Sequence, residues 1–274
     1  MKKRISISLL QMDIKIGQKD VNLAKIDSLI AKSITSVSRD NPHIICLPEL
    51  CTTGFDLKNY KQLAEIIPEG RSTQIFQKLA EKHSVYLISS IIEEFEGFYY
   101  NCAIIINSSG KLLKKYRKVH LFPLKPMEEA NFFMSGERIG LSNTQAVVNI
   151  DGMNIGVLIC FDIRYPEISR RLVLKGADCL IYLAEFPRPR DDVWRVLLKA
   201  RAIENQIFVA GVNCVGGNEE ASFFGNSMVI DPFGNTLLRG TDQEEILFTT
   251  LDPTCLSDAK SFIPTIDLRQ PNQY

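Results

Sequence analysis

The sequence predicts an α/β fold, because short apolar runs of strand length alternate with helical patterns along the whole chain. Apolar residues make up 45% of the 274 positions, enough to bury a large core. No Pro/Ser/Gly-rich linker, charge block or low-complexity segment divides the chain, so a single domain over 1–274 is expected.

The elements follow in order. At the N-terminus, Ile5, Ile7 and Leu9 alternate with serines, which is the period of a half-buried strand over 5–11. Met1-Lys2-Lys3-Arg4 imitates the basic start of a secretory leader, yet Asp13 and Lys15 follow too soon for its apolar stretch. The pattern then predicts a helix over 21–37, a strand over 43–47, a helix over 73–82 and strands over 85–92 and 101–107. The basic cluster Lys111, Lys114, Lys115, Arg117 and Lys118 reads as a solvated connection, with Lys118 the exception. Strands over 147–150 and 154–159 lead to Pro166, which favours a first helical turn, and a helix over 168–175. A strand over 179–183, a helix with one apolar stripe over 193–204 and strands over 207–213, 227–230 and 246–251 complete the pattern. The tail over 253–274 mixes Phe262, Ile263, Ile266 and Leu268 with Pro264 and Pro271. That composition suits an extended C-terminal arm laid on a partner better than a self-contained helix.

Composition excludes several function classes. Lys and Arg number 32, as do Asp and Glu, and the two signs are interspersed, so nothing marks a nucleic-acid or anionic-membrane surface. No apolar run approaches membrane-spanning length. The seven cysteines are odd in number and lie mostly within apolar strands, which fits reduced thiols in the cytoplasm better than a disulfide framework. His43, His83 and His120 lack metal-ligand spacing, and no glycine-rich phosphate loop is present, so neither metal nor cofactor is expected.

Three segments carry chemistry. The apolar run before Cys160 ends abruptly in Cys-Phe-Asp-Ile-Arg-Tyr-Pro, placing the thiol at a strand-to-helix corner. There, backbone N–H groups and the helix dipole favour a thiolate, although a buried structural cysteine is the plainer reading of such a residue by itself. Ile44-Ile45-Cys46-Leu47-Pro48-Glu49 is an apolar strand ending at a carboxylate, and Tyr116-Arg117-Lys118-Val119-His120 presents a lysine. A carboxylate, an ammonium and a thiol are the base, oxyanion stabiliser and nucleophile that amide hydrolysis by a thiol requires. In this order and context the segments resemble the nitrilase superfamily of carbon–nitrogen hydrolases, over nearly the whole chain.

The resemblance implies a four-layer αββα sandwich, a Glu49-Lys118-Cys160 triad and an oxyanion contact from the backbone N–H of Phe161. Glu129 precedes Gly136 by seven residues, as the family's second glutamate does. It would either orient Lys118 or substrate, or serve as a structural ion-pair partner of a buried ammonium. The segments 194–206 and 225–234 are similar to a late helix and a strand-turn of the family, and both read as structural. The resemblance also implies a homodimer. Among the family, the chain looks most like short amidases acting on ω-amides of small dicarboxylates; N-carbamoyl hydrolases and nitrilases share the triad and stay open. Arg164, four residues after Cys160, is the candidate for binding the substrate's free carboxylate, because only arginine offers a planar fork. The competing reading pairs it with Asp162 or Glu167; Arg188 and Arg190 are reserves. Two other function classes remain for comparison: a silent binding protein on this fold, and a Cys-His acyltransferase or protease using His120 or His83.

Overall fold

Two six-stranded sheets face one another with the main core between them, each covered on its outer side by helices. The computed structural model describes residues 2–36, 40–125, 127–139, 147–219 and 221–273. The first half of the chain contains β1 (Ile5–Gln11), α1 (Lys19–Ser33), β2 (His43–Cys46), α2 (Tyr60–Leu63), α3 (Arg71–His83), β3 (Tyr86–Phe95), β4 (Phe98–Ile106) and β5 (Leu112–Arg117). The second half contains β6 (Val147–Ile150), β7 (Met153–Ile159), α4 (Pro166–Leu174), β8 (Cys179–Ala184), α5 (Asp191–Asn205), β9 (Phe208–Asn213) and a ribbon of β10 (Val215–Gly217) with β11 (Ser222–Phe224). It ends with β12 (Met228–Ile230), β13 (Thr236–Arg239), β14 (Glu245–Leu251) and α6 (Thr254–Phe262).

One sheet runs β14-β1-β2-β3-β4-β5 and the other β13-β12-β9-β8-β7-β6. Each has parallel strands at its centre, β1-β2-β3 and β7-β8-β9, and antiparallel strands at its edges. The central strands are apolar without alternation because both faces are covered: β2 and β8 are buried at every residue. Ile7, Ile44, Ile88 and Ile105 of one sheet share a core with Val157, Ile181 and Ala210 of the other. Behind the first sheet, Ile26 and Ile30 of α1 and Phe76 and Ala80 of α3 pack on Ile45 and Leu87. Behind the second, Leu172 of α4 and Trp194 and Leu198 of α5 close the outer layer. The expected four-layer αββα arrangement is thus the one observed.

Three differences from the sequence reading have physical causes. The basic segment 111–118 is not a solvated connection but the edge strand β5. Lys115 and Arg117, two residues apart and so on one face of the strand, both reach the buried Glu93 of β3, at 2.6 and 2.5 Å. The arm after Pro253 opens as helix α6 instead of extended chain, since its prolines lie beyond the helix and Leu256 and Ala259 bury one face. Gln206 ties down its end through Nε2 to the carbonyls of Ala259 (2.8 Å) and Ile263 (2.6 Å). The helix expected over 21–37 is α1, which gives way after Ser33 to a 3₁₀ turn; Val37 lies outside the described residues. The short strands β10, β11 and β13 had no sequence signal of their own. Among the described residues no helix is long and apolar enough to cross a membrane.

Candidate active site

The site forms where strands from both sheets end. Glu49 lies three residues beyond β2, Lys118 directly follows β5, Cys160 directly follows β7 and Glu185 directly follows β8. The chain bends sharply at two of these ends. Cys160 itself and Leu50, next to Glu49, take left-handed backbone conformations, each with φ of 41°. Such strain in non-glycine residues persists only where the surroundings hold it. At Leu50 the holding bond is N–H to Ser90 Oγ, 2.8 Å.

Asp162 holds the other bend. One carboxylate oxygen accepts the Ile159 N–H (3.1 Å) and the Tyr116 hydroxyl (2.7 Å). The second accepts the His120 N–H (3.0 Å) and contacts His120 Nδ1 (2.8 Å). One buried side chain therefore locks the Cys160 turn to the segment that carries Lys118. Arg201 of α5 adds two bonds from its guanidinium to the carbonyl of Ile163, 2.7 and 3.1 Å.

Lys118 is the electrostatic centre. Its ammonium donates to Glu49 Oε1 (2.8 Å) and Glu129 Oε2 (2.6 Å), and all three side chains are buried. Asn101 bridges the same two carboxylates, donating to Glu49 at 2.7 Å and Glu129 at 3.2 Å. Backbone donors complete the set: Glu185 N–H to Glu49 Oε2 (2.9 Å) and Phe122 N–H to Glu129 Oε2 (2.6 Å). Burial alone would lower the lysine's pKa, but the two carboxylates overcome it and hold the ammonium charged. Burial and the Glu49 charge push the Glu129 carboxyl up, with Lys118 opposing them.

Cys160 is 6% exposed, and its thiol is pushed well up by burial and then by the Glu49 carboxylate, with Lys118 pulling the other way. The pull toward a thiolate expected at a strand-to-helix corner is thus opposed here. A helix-terminal position is outweighed by desolvation and an adjacent negative charge, so the resting group is a thiol beside a carboxylate.

A pocket of about 340 Å³, its mouth included, opens onto these groups. Cys160, Lys118 and Glu185 are in its wall, Phe161 and Arg164 extend the wall along the turn, and Phe122, edge-on to Phe161 with ring centres 5.4 Å apart, continues it to Arg190. Arg164 is exposed and its guanidinium sits 5.8 Å from the Phe161 ring centre; Arg190 sits 5.2 Å from that of Phe122. The competing pairing of Arg164 is disfavoured for Asp162, whose two oxygens already take four contacts. Arg188 pairs instead with Asp191 at 2.8 Å and takes no part in the wall. Glu129 stands behind Lys118 and outside the wall. His120 is held by Asp162 and stacked on Tyr165 with ring centres 3.6 Å apart, and His83 ends the outer helix α3, so neither is placed to serve Cys160. Among the described residues no group of three His, Cys, Asp or Glu side chains is arranged to hold a metal ion.

Sequence reasoning missed Asn101, Asp162 as an anchor, and Glu185. Glu185 had a visible signal, since it leaves an apolar strand as a carboxylate in the same manner as Glu49. Asn101 had only a weak one, an amide inside a strand where such residues are uncommon.

Residues 6–260 match the carbon-nitrogen hydrolase family. The chain is 39% identical over 264 residues to 2-oxoglutaramate amidase of Bacillus subtilis, covering 96% of each chain. It is 30% identical over 260 residues to omega-amidase NIT2-B of Xenopus laevis, covering 93% of each. Among solved structures, Saccharomyces cerevisiae Nit3, a member of branch 10 of the nitrilase superfamily, superposes with a TM-score of 0.88 at 26% identity, covering 99% of this chain and 97% of that one. Similarity of this extent, running through both sheets and all four strand ends, means that the chain belongs to the carbon-nitrogen hydrolase family of the nitrilase superfamily.

Proposed function

We propose that this chain is a thiol amidohydrolase that cleaves the ω-amide of a small dicarboxylate to the acid and ammonia. The observation that carries this reading is the buried Glu49-Lys118-Cys160 cluster opening onto a small pocket with two arginines at its rim. The activities named for the Bacillus and Xenopus relatives support the substrate class.

The chemistry follows from the protonation states. Cys160 rests as a thiol, so its proton must pass to Glu49 as sulfur attacks the amide carbon. The carbonyl oxygen becomes an oxyanion. Lys118 has three N–H donors, two of them committed to Glu49 and Glu129, which leaves the third for that oxygen, beside the backbone N–H of Phe161. Collapse breaks the C–N bond, Glu49 returns the proton to nitrogen, and ammonia leaves a thioester on Cys160. Water then attacks the thioester with its proton passing to Glu49, and collapse releases the acid and restores the thiol. Glu49 is hydrogen-bonded to the Cys160 thiol, whereas Glu129 is bonded to Lys118, so Glu129 is a positioning residue that fixes the ammonium.

Arg164 binds the free carboxylate in this reading, with Arg190 a second cation in the same pocket wall. The whole chain, 1–274, acts as one hydrolase domain. Its C-terminal arm, where Phe262, Ile263 and Leu268 are exposed, docks on a second copy in a homodimer. Seven free cysteines suit a reducing, cytoplasmic setting.

The deciding experiment is ammonia release from a panel of dicarboxylate monoamides, neutral amides, carbamoyl compounds and nitriles, with mass spectrometry of the trapped thioester. Monoamides should turn over fastest, with the added mass on Cys160, and Cys160→Ala should abolish turnover. Arg164→Lys should raise KM for the monoamide by roughly 10- to 100-fold and leave a neutral amide almost unchanged. A Cys160→Ala enzyme with near-normal rate overturns the mechanism. Equal losses on both substrates in Arg164→Lys overturn the carboxylate assignment.

A further inference from the structure

One carboxyl of the pocket has no part in the steps above. Glu185 is 3% exposed and stands in the wall beside Cys160 and Lys118. Its backbone N–H holds Glu49, but its side-chain Oε1 is buried with no hydrogen-bond partner among the described residues. The neighbouring carboxyls differ sharply. Glu49 and Glu129 each accept from Lys118, from Asn101 and from a backbone N–H. A buried acceptor left empty is costly, so an orphan oxygen on a residue of the pocket wall calls for a donor that arrives with the ligand.

The rest of the wall narrows what that donor is. Phe55, Phe122, Met127, Phe186 and Pro187 offer no side-chain donor, the donor of Lys118 is needed by the carbonyl oxygen, and Arg164 and Arg190 are assigned to the substrate's free carboxylate in the reading above. A carboxamide with its carbon at Cys160 and its oxygen at Lys118 has one remaining polar group at the reacting centre. That group is a nitrogen with two N–H donors and no acceptor role.

We propose that Glu185 binds the scissile amide nitrogen, its side-chain oxygen accepting an N–H of a primary carboxamide, and so selects the amide over the ester of the same acyl group. The proposal rests on the amidase reading above and names the part of the substrate that this residue recognises. Burial first, then the Glu49 charge and also that of Glu129, push the Glu185 carboxyl well up, with Lys118 opposing, which favours its neutral form. A neutral carboxyl keeps its carbonyl acceptor for an N–H and adds no third negative charge beside Glu49 and Glu129. An ester brings only lone pairs to that oxygen and is met only if the carboxyl turns its O–H inward and gives up the acceptor, so a site set to pair with an N–H disfavours the analogue lacking it.

The test compares binding in the Cys160→Ala background, where neither ligand is consumed. Calorimetry would measure the monoamide and the monomethyl ester of one dicarboxylate against proteins carrying Glu185, Glu185→Leu or Glu185→Gln. Leucine removes the acceptor and keeps the backbone N–H to Glu49; glutamine keeps a carbonyl acceptor. Glu185→Leu should weaken the amide by roughly 10- to 100-fold and the ester by less than about threefold, while Glu185→Gln stays within about threefold on the amide. Equal losses on amide and ester, or unchanged amide binding in Glu185→Leu, overturn the proposal. The substrate reading fails separately, if the intact enzyme releases no ammonia from the monoamide. The same comparison, made with the primary amide it does hydrolyse and the matching ester, then decides Glu185.

Discussion

Lys118 gathers two carboxylates around one buried ammonium, and removing either kind of partner has a different cost. Glu49→Gln keeps shape and takes away the proton acceptor of Cys160, so kcat should fall roughly 10²- to 10⁴-fold in both acylation and deacylation. Lys118→Ala strips the cation from Glu49 and Glu129 at once and should lower stability by about 3–5 kcal/mol as well as rate. Single-turnover kinetics and denaturant titration separate the two; a change in KM alone for either variant would contradict the assigned roles. Glu185 gives a pH signature at the same scale. Its carboxyl is raised in the folded protein above the ordinary 4.5. The stability it contributes is thus fully present below pH 4.5 and lost as pH rises, because the unfolded chain ionises while the folded one does not. Glu185→Gln should therefore melt above the parent protein at neutral pH, and the gap should close as pH falls to 4.5. A gap that is constant with pH would mean that the folded carboxyl is not raised.

At the scale of elements, the segment 129–136 is clamped onto the end of β5. Gly136 N–H donates to the Lys118 carbonyl at 2.9 Å, and a Cβ at Gly136 would collide with the Arg117 carbonyl oxygen. Backbone cannot yield as a side chain can, so Gly136→Ala must lift the segment away from Lys118 and with it Glu129. We expect a loss of about 1–3 kcal/mol in denaturant titration, typical of overpacking. A drop in kcat should accompany it as the ammonium loses its fixed position. Normal stability and rate together would show that the close approach relaxes without consequence. The glycine that is conspicuous in the sequence seven residues after Glu129 thus has a steric reason: it permits one backbone to lie against another.

For the whole molecule, the prediction concerns association. Phe262 is 76% exposed and Leu268 64% on the C-terminal arm, while Leu256 and Ala259 of α6 are buried in the protomer. Replacing Phe262 and Leu268 together by serine should leave the melting temperature of the protomer nearly unchanged. Light scattering should then shift from the mass of a dimer toward that of a monomer. A parent protein that is monomeric at micromolar concentration, or a variant that stays dimeric, rules out the arm as the interface.

The sequence by itself determined the strand-and-helix alternation, and three of the chemical groups could be read from it. Glu49, Lys118 and Cys160 each end a strand or strand-like run, and an unbroken apolar strand such as 155–159 or 179–184 reports its own burial on both faces. Local pattern also placed most element ends within three residues. It misjudged 111–118, because charge suggested solvent while the deciding partner, Glu93, lies on another strand. It misjudged the start of the tail for a related reason: α6 is held by a face buried against the rest of the molecule, and by Gln206 some fifty residues earlier. Tertiary structure alone decided the site's charge states. Whether Cys160 is thiol or thiolate, whether Glu185 is acid or carboxylate and whether Asn101 bridges two glutamates depend on desolvation and on groups brought from different strands. Pair energies and burial of that kind have no image in residue spacing, because they exist only once both sheets have closed over the site.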